Sequence, residues 1–150
     1  MIIDGTRLVV SDNSGAKEVE CIKHKGRYAA IGDIITCAIK KGVRNSKVSP
    51  GQVVKAVVVE TKKELRRPDG RWEGHGAMGV ASTHKGRMYS HPPPPPTTLA
   101  PCSTIKFDRN ACVLVNPKGI PIGTRVLGFV THELRAKQML KIVSLAARVF

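Results

Sequence analysis

The chain has 150 residues and carries 25 Lys and Arg against 11 Asp and Glu, a formal net charge of +14. This length fits one domain, and the 41% of apolar residues suffices for a modest core, which excludes global disorder. No apolar run reaches the roughly 18 residues of a membrane helix, and the first residues show neither a secretory signal nor an Arg-rich transit peptide.

Four segments in the first half of the chain have the patterns of β-strands. Residues 6–11 are a β-branched run that ends at a turn, and residues 17–23 alternate polar and apolar side chains, as a half-buried strand does. Residues 34–39 form a third, mainly apolar run. Residues 52–61 hold five valines and predict a strand that is buried on both faces or curled around a barrel.

The chain changes character after a predicted turn at 67–70, where the sequence reads Arg-Pro-Asp-Gly. Residues 72–104 are rich in Gly and Pro and include five consecutive prolines at 92–96. Such a run cannot pair in a sheet, because proline lacks the amide donor. We interpret residues 72–104 as an insertion in a single domain that spans residues 1–150.

The strand patterns resume at 105–107, 111–115 and 123–130. In the tail, from Thr131 to residue 147, apolar residues have helix-compatible spacing. Thr131 is the expected N-cap, and Glu133 then falls in the first turn, where the helix dipole favours an acid. Short strands separated by turns predict a small all-β barrel with a protruding hairpin, followed by one or two short C-terminal α-helices.

The positive charge indicates a polyanionic partner, because each Lys or Arg at a phosphate releases counterions. A basic surface tuned only for solubility is the alternative. Aromatic residues are only 4% of the chain, too few for stacking single-stranded bases, so we predict binding to the phosphates and shape of a folded RNA. The candidate phosphate contacts, which cluster near predicted strand ends, are Lys23, Lys40, Lys41, Arg44, Lys47, Lys62, Lys63, Arg66 and Arg67.

The chain shows no motif of an enzyme or a cofactor site. Its four cysteines, Cys21, Cys37, Cys102 and Cys112, contain no Cys-x-x-Cys pair, and we expect them to be reduced and mostly buried. A metalloenzyme that used His75, His84, His91 and Cys102 is an alternative of another class, but their spacing matches no zinc pattern. We therefore predict no catalysis, no cofactor and no metal.

Nine segments carry a resemblance to a known family. They are Asp-Asn-Ser-Gly-Ala at 12–16, Cys-Ile-Lys at 21–23, Gly-Asp-Ile-Ile at 32–35, Lys-Ala-Val-Val-Val at 55–59, Arg-Arg-Pro-Asp-Gly at 66–70, Phe-Asp-Arg-Asn-Ala-Cys-Val-Leu at 107–114, Ile-Gly-Thr-Arg at 122–125, Glu-Leu-Arg at 133–135 and Lys-Ile-Val-Ser-Leu-Ala at 141–146. Together they resemble the L14 family of large-subunit ribosomal proteins, of the bacterial or organellar type. Phe107 stands 37 positions after Gly70, whereas the family places a Phe only a few residues after that glycine.

The resemblance implies a five-stranded barrel and a structural role in the large ribosomal subunit. It implies contacts with large-subunit rRNA and neighbouring ribosomal proteins, and a place at the subunit interface that contributes to bridges with small-subunit rRNA. It also implies docking of a ribosome-silencing factor, for which Thr124, Arg125 and Lys141 match the family's contact residues. The alternatives are that Arg125 pairs with an acid such as Glu133, and that the chain is a non-ribosomal, barrel-type RNA-binding protein.

Two further expectations follow from the resemblance and the residues around it. Asn13 is expected to cap local backbone rather than to read a base. The motifs allow a bacterial, plastid or mitochondrial ribosome, and the Gly- and Pro-rich insertion favours the mitochondrion, with no membrane association.

Overall fold

The computed structural model describes residues 1–44, 46–67 and 104–149 of the chain. The chain divides into two compact units, one made of Met1–Glu64 with Lys106–Phe150 and the other of Leu65–Ile105. In the described part of the second unit, β5 (Leu65–Arg66) pairs with β6 (Thr104–Ile105) in an antiparallel, two-stranded sheet. The predicted turn beyond Arg67 and the predicted insertion up to residue 103 lie outside the described residues.

The first unit contains a closed barrel of five strands. Its strands, in order around the barrel, are β1 (Arg7–Val10), β2 (Ala16–Lys23), β3 (Ile34–Gly42), β4 (Val53–Glu60) and β7 (Ala111–Val115). Neighbours are antiparallel except β1 and β7, whose parallel pairing closes the barrel. The expected all-β fold with a five-stranded barrel is therefore confirmed.

Apolar side chains that alternate along the strands fill the barrel interior. Val19 and Cys21 point inward from β2, and Cys37 and Ile39 point inward from β3, where they meet Cys112 of β7 in one core cluster. The three cysteines are buried free thiols, as the apolar runs around them predicted. Cys102 lies outside the described residues.

The second half of β4 is buried on both faces, as its run of valines predicted. All residues from Ala56 to Glu60 are buried. Val58 belongs to the barrel core, and the alternation of side chains along a strand places Val57 and Val59 on the outer face. The C-terminal segment contacts that side of the barrel through β8 (Val126–Val130). Each buried valine contributes about 1.5–3 kcal/mol relative to an exposed one.

The C-terminal segment differs in part from its expected structure. Two short helices, α1 (Glu133–Ala136) and α2 (Leu140–Leu145), are present, with Glu133 in the first turn as expected. The prediction that Thr131 is the N-cap is wrong, because His132 precedes α1 and Thr131 is fully buried. Residues beyond Leu145 leave the helix and form β9 (Ala146–Val149), which pairs in parallel with β8. No helix in the described part of the chain is long and apolar enough to cross a membrane.

Candidate nucleic-acid interface

The candidate phosphate contacts do not form one continuous patch. Lys23 ends β2, opposite Thr36 near the start of β3, whereas Lys41 lies near the other end of that strand pair, opposite Glu18. We call the end of the barrel where β2 and β4 finish the Lys23 end, and the end where β3 finishes and β4 begins the Arg44 end. Arg66 and Arg67 belong to the second unit.

Three cations surround a cavity at the Lys23 end. Lys23 of β2, Thr36 of β3 and Lys55 of β4 are direct register partners, so they form a row across three strands. Together with His24, Lys25 and Ile34, they line an open cavity of about 440 Å³. Its three cations are Lys23, Lys25 and Lys55. The lining contains three lysines and no carboxylate, so its potential is positive and suits a phosphate group.

Lys62 and Lys63 follow β4 at the same end and are both exposed. The backbone amide of Lys62 donates to Oδ1 of Asn110 at 2.9 Å, which fixes the chain direction after the strand. The side chain of Lys63 lies 3.1 Å from the sulfur of Met1. Neither lysine forms an ion pair with a carboxylate of the described residues, so both ammonium groups are available to an anion.

At the Arg44 end, two of the predicted contacts are already paired with acids. Lys40 Nζ lies 3.4 Å from Oε2 of Glu20, and Lys41 Nζ lies 2.8 Å from Oε2 of Glu18. The hydrogen bond from Lys41, and then its charge, lower the pKa of Glu18 below its ordinary value. A phosphate must therefore compete with a carboxylate for each of these two lysines. Each of them then contributes less free energy to RNA binding than an unpaired lysine does.

The loop between β3 and β4 presents the other two contacts of this end. Arg44 is exposed, and Lys47 Nζ donates to the backbone carbonyl of Ile122 at 3.2 Å. In the second unit, Arg66 is exposed in β5, and Arg67 is partly buried and has a partner. Arg44 and Arg66 thus retain the planar donors that suit phosphate oxygens.

The backbone at Thr124 and Arg125 is held by Asn13. The Asn13 side chain accepts from the Thr124 amide at 2.7 Å and from the Arg125 amide at 3.2 Å, and its Nδ2 donates to Oγ1 of Thr124 at 2.8 Å. Asn13 therefore caps backbone, as expected, but that backbone is distant in sequence rather than local. Both Thr124 and Arg125 are exposed.

Lys141 lies in a different setting. It is exposed in α2 and lines a cavity of about 440 Å³ together with Lys118 and Lys137. Lys137 forms an ion pair with Asp33 at 3.2 Å. Thr124 and Arg125 are not among the lining residues, so the three residues expected to bind one partner occupy two separate segments of the first unit.

Sequence reasoning missed two features of this unit. Lys55 was not among the predicted contacts, although its signal is visible, because it is the only charged residue in the apolar run of β4 before Glu60. The other feature is a cluster of Asp4, Cys21 and His24, whose ligand-type atoms all lie within 4.8 Å of one another. The sequence separates Asp4 from the other two, so spacing alone did not reveal it. The alternative metal residues His75, His84, His91 and Cys102 lie outside the described residues.

A comparison with protein families matches most of this chain to a known family. The family described as ribosomal protein L14p/L23e matches residues 1–75 and residues 99–150. The matched ranges include every strand of the barrel, both short helices and the C-terminal strand.

Proposed function

The chain belongs to the ribosomal protein L14p/L23e family, and from this premise we propose that exposed cations at the ends of its barrel hold it on large-subunit rRNA. The family makes it a ribosomal protein of the large subunit, associated with rRNA and other ribosomal proteins, in a family that is normally structural rather than enzymatic. The observation that carries the proposal is the row of Lys23, Thr36 and Lys55 around a cavity without carboxylates.

The proposal assigns different roles to the paired and the unpaired cations. Lys23, Arg44, Lys62, Lys63 and Arg66 engage phosphates directly, because no described carboxylate pairs with them. Lys40, Lys41, Lys47 and Arg67 also contribute, but each already has a partner. Since phosphate contacts carry no sequence information, recognition depends on the positions that the barrel imposes on these cations.

The proposal includes the protein's place between the subunits. It lies at the subunit interface, contributes to bridges with small-subunit rRNA, and offers Thr124, Arg125 and Lys141 to a ribosome-silencing factor. The support is that Thr124 and Arg125 are exposed and that the Asn13 side chain holds both of their backbone amides and the Thr124 hydroxyl. Fixing a contact residue before binding lowers the entropy cost of association.

The rRNA contacts are tested with two double variants that remove the same charge. Lys23→Gln with Lys55→Gln removes cations of the cavity, and Lys40→Gln with Lys41→Gln removes cations paired with acids. Affinity for deproteinised large-subunit rRNA is measured across a salt series, with transfer RNA as the non-specific competitor. We expect the cavity variant to bind more weakly and to lose about 1.4–1.8 from the slope of log affinity against log salt, since each phosphate contributes about 0.7–0.9.

The variant of the paired lysines is the control, and we expect a smaller loss of slope from it. Equal losses in the two variants would contradict the distinction between paired and unpaired cations. Binding that does not change with salt would contradict phosphate contact altogether. Circular dichroism checks that both variants keep the fold, since all four lysines are exposed.

The proposal also names a compartment, the mitochondrion. Its support is the composition of residues 72–104, which are rich in Gly and Pro. The test is a high-salt wash of ribosomes from separated cell fractions, followed by detection of the chain in the large-subunit peak. The chain is expected in the mitochondrial large subunit, and its recovery only from plastid or cytoplasmic ribosomes would overturn this part of the proposal.

A further inference from the structure

Three residues with metal-binding side chains meet beside the end of β2. Asp4 lies in the turn before β1, Cys21 lies in β2, and His24 directly follows that strand. Their ligand-type atoms all lie within 4.8 Å of one another, and His24 Nδ1 is 2.7 Å from Oδ1 of Asp4. We propose that this Asp4–Cys21–His24 cluster is a binding site for one zinc ion.

The donor set suits zinc. A thiolate, an imidazole and a carboxylate are the three protein ligands that Zn²⁺ takes, at about 2.3 Å for sulfur and about 2.0–2.2 Å for nitrogen and oxygen. Cys21 and His24 are spaced as Cys-x-x-His, so one strand end supplies two ligands and the facing turn supplies the third. Zinc bonds of about 2.0–2.2 Å at tetrahedral angles put two ligand atoms about 3.3–3.5 Å apart. Asp4 Oδ1 and His24 Nδ1, now 2.7 Å apart, therefore need to separate by about 0.6–0.8 Å to become ligands.

The backbone already fixes the ligands in position. The Gly5 amide donates to the Cys21 carbonyl at 2.8 Å, and the Cys21 amide donates to the Thr6 carbonyl at 2.9 Å. On the other side of the turn, Ile2 and Ala29 exchange backbone hydrogen bonds of 3.0 and 2.8 Å. Backbone hydrogen bonds on both sides of the turn therefore hold Asp4 beside Cys21 before a metal binds. A metal site on fixed backbone requires less reorganisation of the protein on binding.

Two of the three side chains are buried, and the third is open to solvent. Cys21 is 1% exposed, and the side chain of His24 is 9% exposed. The Asp4 side chain is 63% exposed, so an ion enters from solvent on that side, where water completes a tetrahedral shell. The second ring nitrogen of His24 is also buried, so solvent reaches the cluster from the Asp4 side.

Charge balance at the cluster allows a divalent ion. Lys23 and Lys25 flank His24, which makes the surroundings positive and disfavours a cation held by neutral ligands alone. Zinc deprotonates a coordinating thiol, and the resulting thiolate together with the Asp4 carboxylate supplies two negative charges. The loaded site is therefore close to neutral, and its zinc connects the N-terminal turn to the barrel.

Zinc affinity of the full chain tests this site. Metal-free protein is titrated with Zn²⁺ against a competing chelator, in a background where His75, His84, His91 and Cys102 are replaced by Gln or Ser. We expect one zinc per chain. The variants Asp4→Asn, Cys21→Ser and His24→Gln should each lose at least about 10–100-fold in affinity, because the loss of a residue that only supports a ligand already costs that much. A Co²⁺ complex should show thiolate charge-transfer absorption that Cys21→Ser abolishes.

Two control variants test whether zinc binding is specific to the Asp4–Cys21–His24 cluster. Cys37→Ser removes another buried thiol, and His132→Gln removes an exposed imidazole, and we expect both to retain zinc. Asp4→Asn changes a side chain that is 63% exposed and keeps an amide oxygen as acceptor for His24 Nδ1, so we expect this variant to fold. Zinc should raise the melting temperature of the parent chain but not of Asp4→Asn. Absence of stoichiometric zinc, or loss of affinity in only one or two of the three ligand variants, would overturn the three-ligand site.

Discussion

The position of Arg125 depends on a single amide side chain. Asn13 binds two consecutive backbone amides and one hydroxyl of the loop before β8. The neighbouring Asp12 acts in the same way inside the protein, since it accepts from the Ser14 amide and from the Leu114 amide, both at 2.8 Å. Two adjacent side chains of one turn therefore hold the backbone of that turn and of two other segments.

The variant Asn13→Ala should make the loop that contains Thr124 and Arg125 more mobile. The variant loses three hydrogen bonds at an exposed site, so we expect a loss of about 1–2 kcal/mol in the free energy of unfolding. Hydrogen exchange of the Thr124 and Arg125 amides should accelerate. Asn13→Asp keeps the acceptor for both amides and should lose less, and equal losses in the two variants would show that the acceptor is unimportant.

The buried thiols give a second prediction about single residues. Burial raises the pKa of Cys37 to about 12, and burial raises the pKa of Cys112 well above its ordinary value. At pH 8, Cys37 then holds about one thiolate in ten thousand molecules, and only the thiolate reacts with alkylating reagents. Iodoacetamide should therefore label both cysteines only after denaturation.

Peptide mapping by mass spectrometry measures this labelling at each cysteine separately. The same chain in guanidinium chloride is the positive control, in which both thiols should react quickly. Labelling of Cys37 within minutes in the folded chain would mean that the barrel interior opens far more often than its packing implies.

Individual residues also show where sequence reasoning succeeds and where it fails. The apolar runs around Cys21 and Cys37 predicted their burial, because cysteine within such a run behaves as a small apolar residue. Thr131 failed as an N-cap because burial in the tertiary structure outweighed its local preference. The Asp4–Cys21–His24 cluster could not be predicted, because strand pairing brings Asp4 to Cys21 and no local spacing records it.

Among the elements, an ion pair beside β8 connects the end of β4 to the segment before β7. Glu60, the last residue of β4, is 3% exposed at its side chain and accepts from Arg109 Nε at 2.8 Å, while Arg109 is half exposed. This hydrogen bond is the main reason that the pKa of Arg109 lies above its ordinary value. A Cβ on Gly128 of β8 would lie 3.1 Å from atoms of both side chains, so β8 leaves no spare room around the pair.

A double-mutant cycle on Glu60 and Arg109 should show strong coupling. Arg109→Met leaves a buried carboxylate without its partner, and we expect a loss near the lower end of about 3–5 kcal/mol, because Arg109 is itself partly solvated. Adding Glu60→Gln to that variant should restore part of the stability. Chemical denaturation of the four proteins measures the coupling, and additive losses would show that the two side chains stabilise the fold independently.

The elements of the tail show a limit of prediction by pattern. The helix-compatible spacing of apolar residues was predicted to run to residue 147, yet Ala146 adopts an extended backbone with ψ of 139° and begins β9. The reason is tertiary, since the backbone of β9 pairs with β8. The barrel strands were predictable because each has its own turn signals and alternation, whereas β9 depends on a partner strand that local pattern does not reveal.

For the whole molecule, the two units differ in their share of the core. The barrel core cluster lies entirely within Met1–Glu64 and Lys106–Phe150. A chain that lacks residues 73–103 should therefore keep a cooperative thermal transition, because every side chain of that cluster remains. Differential scanning calorimetry of the deletion variant, with circular dichroism of the strands, measures this.

The parent chain is the reference for that experiment, and its rRNA affinity at fixed salt gives a second readout. A deletion variant that melts without cooperativity would show that the barrel needs the removed residues to fold. A variant that melts normally but loses rRNA affinity would instead assign a share of the binding to residues 73–103.

The parallel pairing of β1 with β7 also has a consequence for synthesis. Val9 pairs with Ala111 and Val10 with Cys112, so the nascent chain exposes one edge of β1 and one edge of β4 until residue 115 has left the exit tunnel. Unpaired strand edges are templates for association between chains. A chaperone that covers such edges should therefore raise the yield of folded protein most if it acts before the last quarter of the chain emerges. Slow translation of the middle of the message should change that yield in the same period, because it prolongs the exposure of these edges.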